Sequence, residues 1–240
     1  MLARTIDARA TRDIDVFSVR SAIGTAVEEI KEAAALDLDD FIRYEYTAMT
    51  SIKADDRYRD GVTLVFTPFL GSRRMHPVSI DLVVDELPLD GVDWIEPVDR
   101  LLIHGLPVSN YAVYPVAAAL ADKFCGVVEK HGGRASSRVK DLVDILIYIH
   151  REDVDAADLS QRLRRESGAR GLELPPVFDV PELWYESYGP VFKGLLEQTG
   201  LAGEWADLQT AVSFVAYFYQ PILGCAGAVN HWDHRLLAWS

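Results

Sequence analysis

The stretch Asp13-Ile-Asp-Val-Phe17 is too short and too strictly alternating for a helix. It reads as a strand with Ile14 and Val16 turned inward and Asp13 and Asp15 on the other face. In a strand, side chains at i and i+2 leave the same face about 6.6 Å apart along the chain, so both carboxylates address one region of space. Two carboxylates so placed repel unless they are solvated, protonated or bridged by a cation. Hard divalent cations such as magnesium favour one or two carboxylates together with phosphate groups. The plain alternative is an exposed edge strand with acidic decoration.

Downstream of this strand, Ile23, Val27, Ile30, Ala34 and Phe41 follow the rhythm of an amphipathic helix over residues 21–40, with Glu28, Glu29, Lys31 and Glu32 facing water. Three further strands are expected at 42–49, 62–67 and 78–84, separated by turns at 55–61 and 68–71. A short hairpin is expected at 101–103 and 106–108, around Gly105. From Pro115, a residue suited to the first turn of a helix, nearly everything periodic is helical: 116–130, 137–150, 156–166, a Pro-bounded pair over 183–198, and 204–219. A polar, Pro-rich connector spans 168–181. The two tryptophans of the closing HWDHRLLAWS are read as pinning the terminus. The expected fold is α+β, a small mixed sheet in residues 1–112 followed by a helical lobe in 113–240.

Four side chains stand out from this pattern. Asp81 interrupts the apolar run Val78-Ser-Ile-Asp-Leu-Val-Val84, where an ionised carboxylate needs a partner or a metal. Beside Asp13 and Asp15 it completes an acidic triad; a salt bridge to an arginine is the alternative. Lys123 projects from a helical stripe of Val116, Leu120, Phe124 and Val127. It either snorkels to the rim or offers a cation to phosphates. On the next helix Asp141 and Asp144 share a side at i, i+3 with Lys140. They form either a weak surface pair with that lysine or a carboxylate that accepts a proton from an attacking hydroxyl.

Composition bounds the function. The chain of 240 residues is 49% hydrophobic and 25% charged, as expected of a folded protein, and walking along it reveals no internal repeat. Lys and Arg number 24 against 37 Asp and Glu, a net charge of −13 that disfavours general DNA binding. The basic clusters Arg134/Arg138/Lys140 and Arg162/Arg164/Arg165 read as solvated helix faces. Cys125 and Cys225 sit in apolar surroundings without metal-ligand spacing and read as reduced packing residues. No stretch approaches the roughly 20 apolar residues of a membrane span and no signal peptide is evident, so the expected location is cytoplasmic, away from membranes.

Four segments in order carry a resemblance: Arg9-Ala-Thr-Arg-Asp-Ile-Asp-Val16, the strand bearing Asp81, Leu120-Ala-Asp-Lys123, and Arg138-Val-Lys-Asp-Leu-Val-Asp144. As a set they resemble the AbiEii/AbiGii-type nucleotidyltransferase toxins, within the polymerase-beta-like nucleotidyltransferase superfamily. The resemblance runs from the first residues to about His150, and beyond that it is one of general helical character. It implies metal-binding roles for Asp13, Asp15 and Asp81 and a phosphate-facing role for Lys123, with Arg9 and Arg12 assisting at the nucleotide. It also implies an essential acid at Asp141 or Asp144, the choice remaining open.

The implied reaction is magnesium-dependent transfer of a nucleoside monophosphate from an NTP to an acceptor hydroxyl, such as a tRNA 3′ end, with two Mg2+ ions. The implied setting is a toxin–antitoxin or phage-defence system with a cognate antitoxin as partner. A small-molecule or protein acceptor is the alternative within the same chemistry. In one respect the chain departs from the superfamily, which places a Gly-Ser or Gly-Gly turn about ten or more residues before the first aspartate, its backbone N–H groups holding phosphates. Here twelve residues precede Asp13, and none is Gly or Ser. The expectation is a start assigned too late, a truncated chain, or a degenerate, non-catalytic member that serves as a binding partner.

Overall fold

Alternating apolar residues on three strands build the first sheet. The computed structural model describes residues 4–6, 8, 13–18, 22–52, 59–85, 91–98, 109–130, 132–201, 203–224 and 229–240. The chain divides into two compact units. One comprises residues 11–92 with 100–109, and the other residues 1–10, 93–99 and 110–240.

In the sheet unit, β1 (Asp13–Ser18) leads into α1 (Ile23–Ala34), and β2 (Ile42–Ser51), β3 (Arg59–Leu70), β4 (Arg73–Arg74) and β5 (Val78–Asp85) follow. The sheet order is β1-β5-β3-β2, with β4 against the end of β3. β1 and β5 are parallel and the other pairs antiparallel, so the sheet is mixed as expected. Val62, Leu64, Phe66, Leu82 and Val84 alternate onto one face and pack with Ala26 and Val27 of α1, flanked by Val16, Ile23, Ile30, Ala34 and Ile80. Fully burying a side chain such as Leu64 or Leu82 contributes about 1.5–3 kcal/mol.

Two sequence expectations are corrected here. The helix expected to reach residue 40 ends at Ala34, because the aspartates beyond it compete for the backbone. The Asp39 N–H donates to Asp37 Oδ1 at 3.0 Å and the Ile42 N–H to Asp40 Oδ1 at 2.9 Å. Phe41 therefore leaves the helical stripe, with φ at +62° and 84% of its surface exposed. The turn expected at 68–71 begins later, since β3 continues to Leu70 and turns at Gly71, φ +57°. Pro68 is tolerated because its carbonyl accepts the Met75 N–H at 2.9 Å. The N–H that proline lacks would point the same way, past Phe66–Val78 where the β5 ladder ends.

The other unit opens with a ribbon of β6 (Asp93–Ile95) and β7 (Tyr111–Val113), which the sequence reading did not anticipate. The hairpin expected at 101–108 lies outside the described residues. The buried Arg4 guanidinium ties this ribbon to the rest of the unit, donating to Asp93 and to the Tyr114 carbonyl and pairing with Glu152. The helices are α2 (Val116–Val128), α3 (Val139–Arg151), α4 (Ala156–Arg170), α5 (Glu182–Ser187), α6 (Gly189–Leu196) and α7 (Leu208–Leu223). Part of the helix expected at 204–219 is instead a 3-10 turn, Glu204–Ala206, because Asp207 caps α7 by accepting the Thr210 N–H at 2.8 Å.

A small antiparallel sheet joins β8 (Val154–Asp155), β9 (His231–Asp233) and β10 (Ala238–Trp239). Both terminal tryptophans pin the end of the chain as expected, Trp232 Nε1 donating to the Ile149 carbonyl and Trp239 Nε1 to that of Phe218. Arg170, only 1% exposed, reaches Asp122, Glu129 and Glu166 at 2.6–2.8 Å and so clamps α2 to α4. Cys125 is a buried free thiol that burial pushes up to about 12, while Cys225 lies outside the described residues. Among the described residues no helix is long and apolar enough to cross a membrane.

Candidate active site

The same alternation that turns Ile80 and Leu82 toward the core sends their neighbours to the opposite face. In the parallel β1–β5 ladder Asp13 is level with Ser79 and Asp15 with Asp81. Residues level in a ladder share a face, so Asp13, Asp15 and Asp81 project from one side of two adjacent strands, about 4.8 Å apart in the sheet. Asp13 and Asp15 are exposed and Asp81 half-buried. Asp81 is anchored from the third strand: Thr63 stands level with it on β3, and the Thr63 hydroxyl donates to Asp81 Oδ1 at 2.6 Å. Thr63 was missed in the sequence, although its place as the polar residue between Val62 and Leu64 was a visible signal.

The helical unit gathers a second set. Lys123 on α2 donates from Nζ to Asp141 Oδ1 at 3.0 Å and to Asp144 Oδ2 at 2.7 Å, both on α3. Arg138 Nη1 also reaches Asp141 Oδ2 at 3.3 Å. Of the readings open for Asp144, a weak surface pair with Lys140 is not what forms: Asp144 retains only 7% side-chain exposure and pairs with Lys123, because α3 is buried nearly all round. Burial by itself favours the neutral amine of Lys123. The charges of Asp141 and Asp144, with Tyr148 nearby and the Asp144 hydrogen bond, overcome it and hold the ammonium well above the ordinary lysine range. The ion triad is therefore a fixed, charged unit that locks α2 to α3.

Arg9 and Arg12, expected at the nucleotide, lie outside the described residues. Among the described residues, the group whose possible ligand atoms all lie within 4.8 Å of one another is Asp153, Asp233 and His234; the strand carboxylates stand farther apart than that. In this group His234 bonds Asp153 Oδ1 through Nδ1 at 2.6 Å, while Asp233 Oδ1 accepts the backbone N–H groups of Arg235 and Leu236. These bonds staple the turn between β9 and β10 to the end of α3. The donor set on the sheet is all oxygen and on one face, with two of its three acids open to solvent.

The sequence pattern of the nucleotidyl transferase AbiEii toxin family, of type IV toxin–antitoxin systems, matches residues 1–212. The chain belongs to this family. That match spans the strand acids, the helical triad and most of the helical unit. An AbiEii-family chain is a nucleotidyltransferase toxin by kind, which accords with the class of protein the ordered motifs resemble. Among solved structures one match is MenT4, a nucleotidyltransferase toxin from Mycobacterium tuberculosis, at 12% identity and a TM-score of 0.49, covering 96% of this chain and 72% of that one. No curated protein matches the sequence.

Proposed function

We propose that the chain transfers a nucleoside monophosphate from an NTP to an acceptor hydroxyl such as the 3′ end of a tRNA, releasing pyrophosphate, with magnesium held by Asp13, Asp15 and Asp81. The observation that carries this reading is the β1–β5 register, which sets Asp15 level with Asp81 and puts Asp13 on the same face. A packed apolar layer backs that face, so the strands present the acids from a rigid support. Asp13 and Asp15 are exposed, so cations shared with a triphosphate can reach them, and Asp81 is held by Thr63.

Two magnesium ions bound there would neutralise the triphosphate and make the acceptor hydroxyl easier to deprotonate. The work left to the side chains is orientation and charge stabilisation. Lys123, Asp141 and Asp144, which the motif resemblance associates with transfer, are bonded to one another within the helical unit.

The test is incubation with each α-labelled NTP, magnesium and total RNA. RNA becomes labelled with the wild-type chain, and the label falls to background with Asp13→Asn or Asp81→Asn. Unlabelled RNA with every NTP contradicts the RNA acceptor. The net charge of −13 favours a second reading, a small-molecule or protein hydroxyl as acceptor, because such a surface repels a phosphate backbone. Label on protein or small solutes selects that reading. As a toxin the chain should halt growth of a host unless a cognate antitoxin is co-expressed, and unimpaired growth counts against the toxin role.

A further inference from the structure

We infer that Thr63 is a positioning residue for the transfer site: its hydroxyl fixes Asp81 through Oδ1 and leaves Oδ2 as the oxygen offered to a divalent cation. The inference rests on the proposed role of the strand acids and adds a residue to it. Thr63 and Asp81 are directly level across the antiparallel β3–β5 pair, and the hydroxyl–carboxylate distance is 2.6 Å. Both residues are half-buried. Apolar residues flank each along its own strand, Val62 and Leu64 on β3 and Ile80 and Leu82 on β5, and all four face the α1 side of the sheet.

An unanchored aspartate on a strand samples several rotamers, and a cation must then order it at an entropic cost. A hydroxyl bonded to one carboxylate oxygen removes that freedom beforehand. The bond to Thr63 holds Asp81 at a half-buried position, while Asp13 and Asp15 are exposed. Partners of this kind behind a metal-binding carboxylate typically change metal affinity about 10–100-fold when removed. Valine reproduces the shape of threonine without the hydroxyl, and serine restores the hydroxyl without the methyl group.

The experiment is a titration of the full chain with Mn2+ as the probe ion, read by its electron paramagnetic resonance signal, on wild type, Thr63→Val, Thr63→Ser and Asp81→Asn. Melting temperatures are recorded alongside. Thr63→Val is expected to weaken Mn2+ binding about tenfold, Thr63→Ser to bind like wild type, and Asp81→Asn to bind more weakly than Thr63→Val. A Thr63→Val chain that binds Mn2+ like wild type while Asp81→Asn does not overturns the inference and leaves the proposed site standing. Wild-type affinity in Asp81→Asn overturns the site itself. If Thr63→Val does not fold, Thr63→Ala, which adds no bulk, takes its place with the same expected weakening, and wild-type affinity in it is equally decisive against the inference.

Discussion

Replacing Lys123 by Met leaves Asp141 and Asp144 facing each other on α3 with the shared cation gone. Their side chains are only 16% and 7% exposed, so water cannot compensate the lost charge fully. Arg138 reaches only Asp141, at 3.3 Å, and its own side chain is 48% exposed. Breaking a buried pair by removing one partner costs about 3–5 kcal/mol. Partial exposure of Asp141 and its contact with Arg138 argue for the lower half of that range, while the loss of one cation from both acids argues against less. Urea unfolding of the helical unit, followed by tryptophan fluorescence, should therefore show a loss of about 3–4 kcal/mol. Adding Asp141→Asn and Asp144→Asn to Lys123→Met should recover most of it, because neutral amides replace the two carboxylates that lost the shared cation. The raised lysine also fixes a pH window. Its stabilisation is complete below the unfolded lysine value, about 10.5, and declines only as pH climbs beyond that toward the folded value. A loss below about 1 kcal/mol, the range of an exposed pair, or no recovery in the triple variant, would refute the reasoning. The result also bears on activity, since a silent Lys123→Ala chain is informative about transfer only if it remains folded.

Three further outcomes follow from the same physics. Arg170→Met, which strips one guanidinium from Asp122, Glu129 and Glu166 at a site 1% exposed, should cost about 3–5 kcal/mol in the same unfolding assay. His150 bonds the Leu146 carbonyl through Nδ1, and among the described residues its buried Nε2 has no hydrogen-bond partner, with Trp205 and Phe214 packed beside the ring. Burial lowers its pKa, so the unfolded chain binds the proton more readily, and stability should fall as pH drops from about 6.5 toward the lower folded value. In thermal melts between pH 7 and 5, His150→Phe should flatten that dependence, and an unchanged slope would show that other groups set it.

Much of this was legible in the sequence because it depends on local period. Asp13-Ile-Asp and Ile80-Asp-Leu carry their facing in their alternation, and once β1 and β5 are neighbours the acids have to meet on one side. The core helices were visible for the same reason, through stripes such as Val116, Leu120, Phe124 and Val127. What stayed hidden was pairing at a distance. Nothing near Lys123 announces that its partners lie 18 and 21 residues on, and nothing near Arg170 announces Asp122, 48 residues back. Lys140 sits closer to Asp144 in sequence, yet burial of α3 selects Lys123. The early end of α1 was missed because a hydrophobic period does not register aspartates capturing backbone N–H groups, as Asp37 and Asp40 do. The β6–β7 ribbon is three residues on each side, too short to show a period, and exists only through its pairing.

The claim on which the functional reading stands is that Asp15 and Asp81, level on neighbouring strands, act together on a metal-bound nucleotide. Isothermal titration of the chain with an NTP, run with and without magnesium, tests it most directly. The account predicts binding heat that requires magnesium and disappears in both Asp15→Asn and Asp81→Asn, with the melting temperature of each variant close to that of wild type. Heat of equal size without magnesium, or undiminished in either variant, would contradict it.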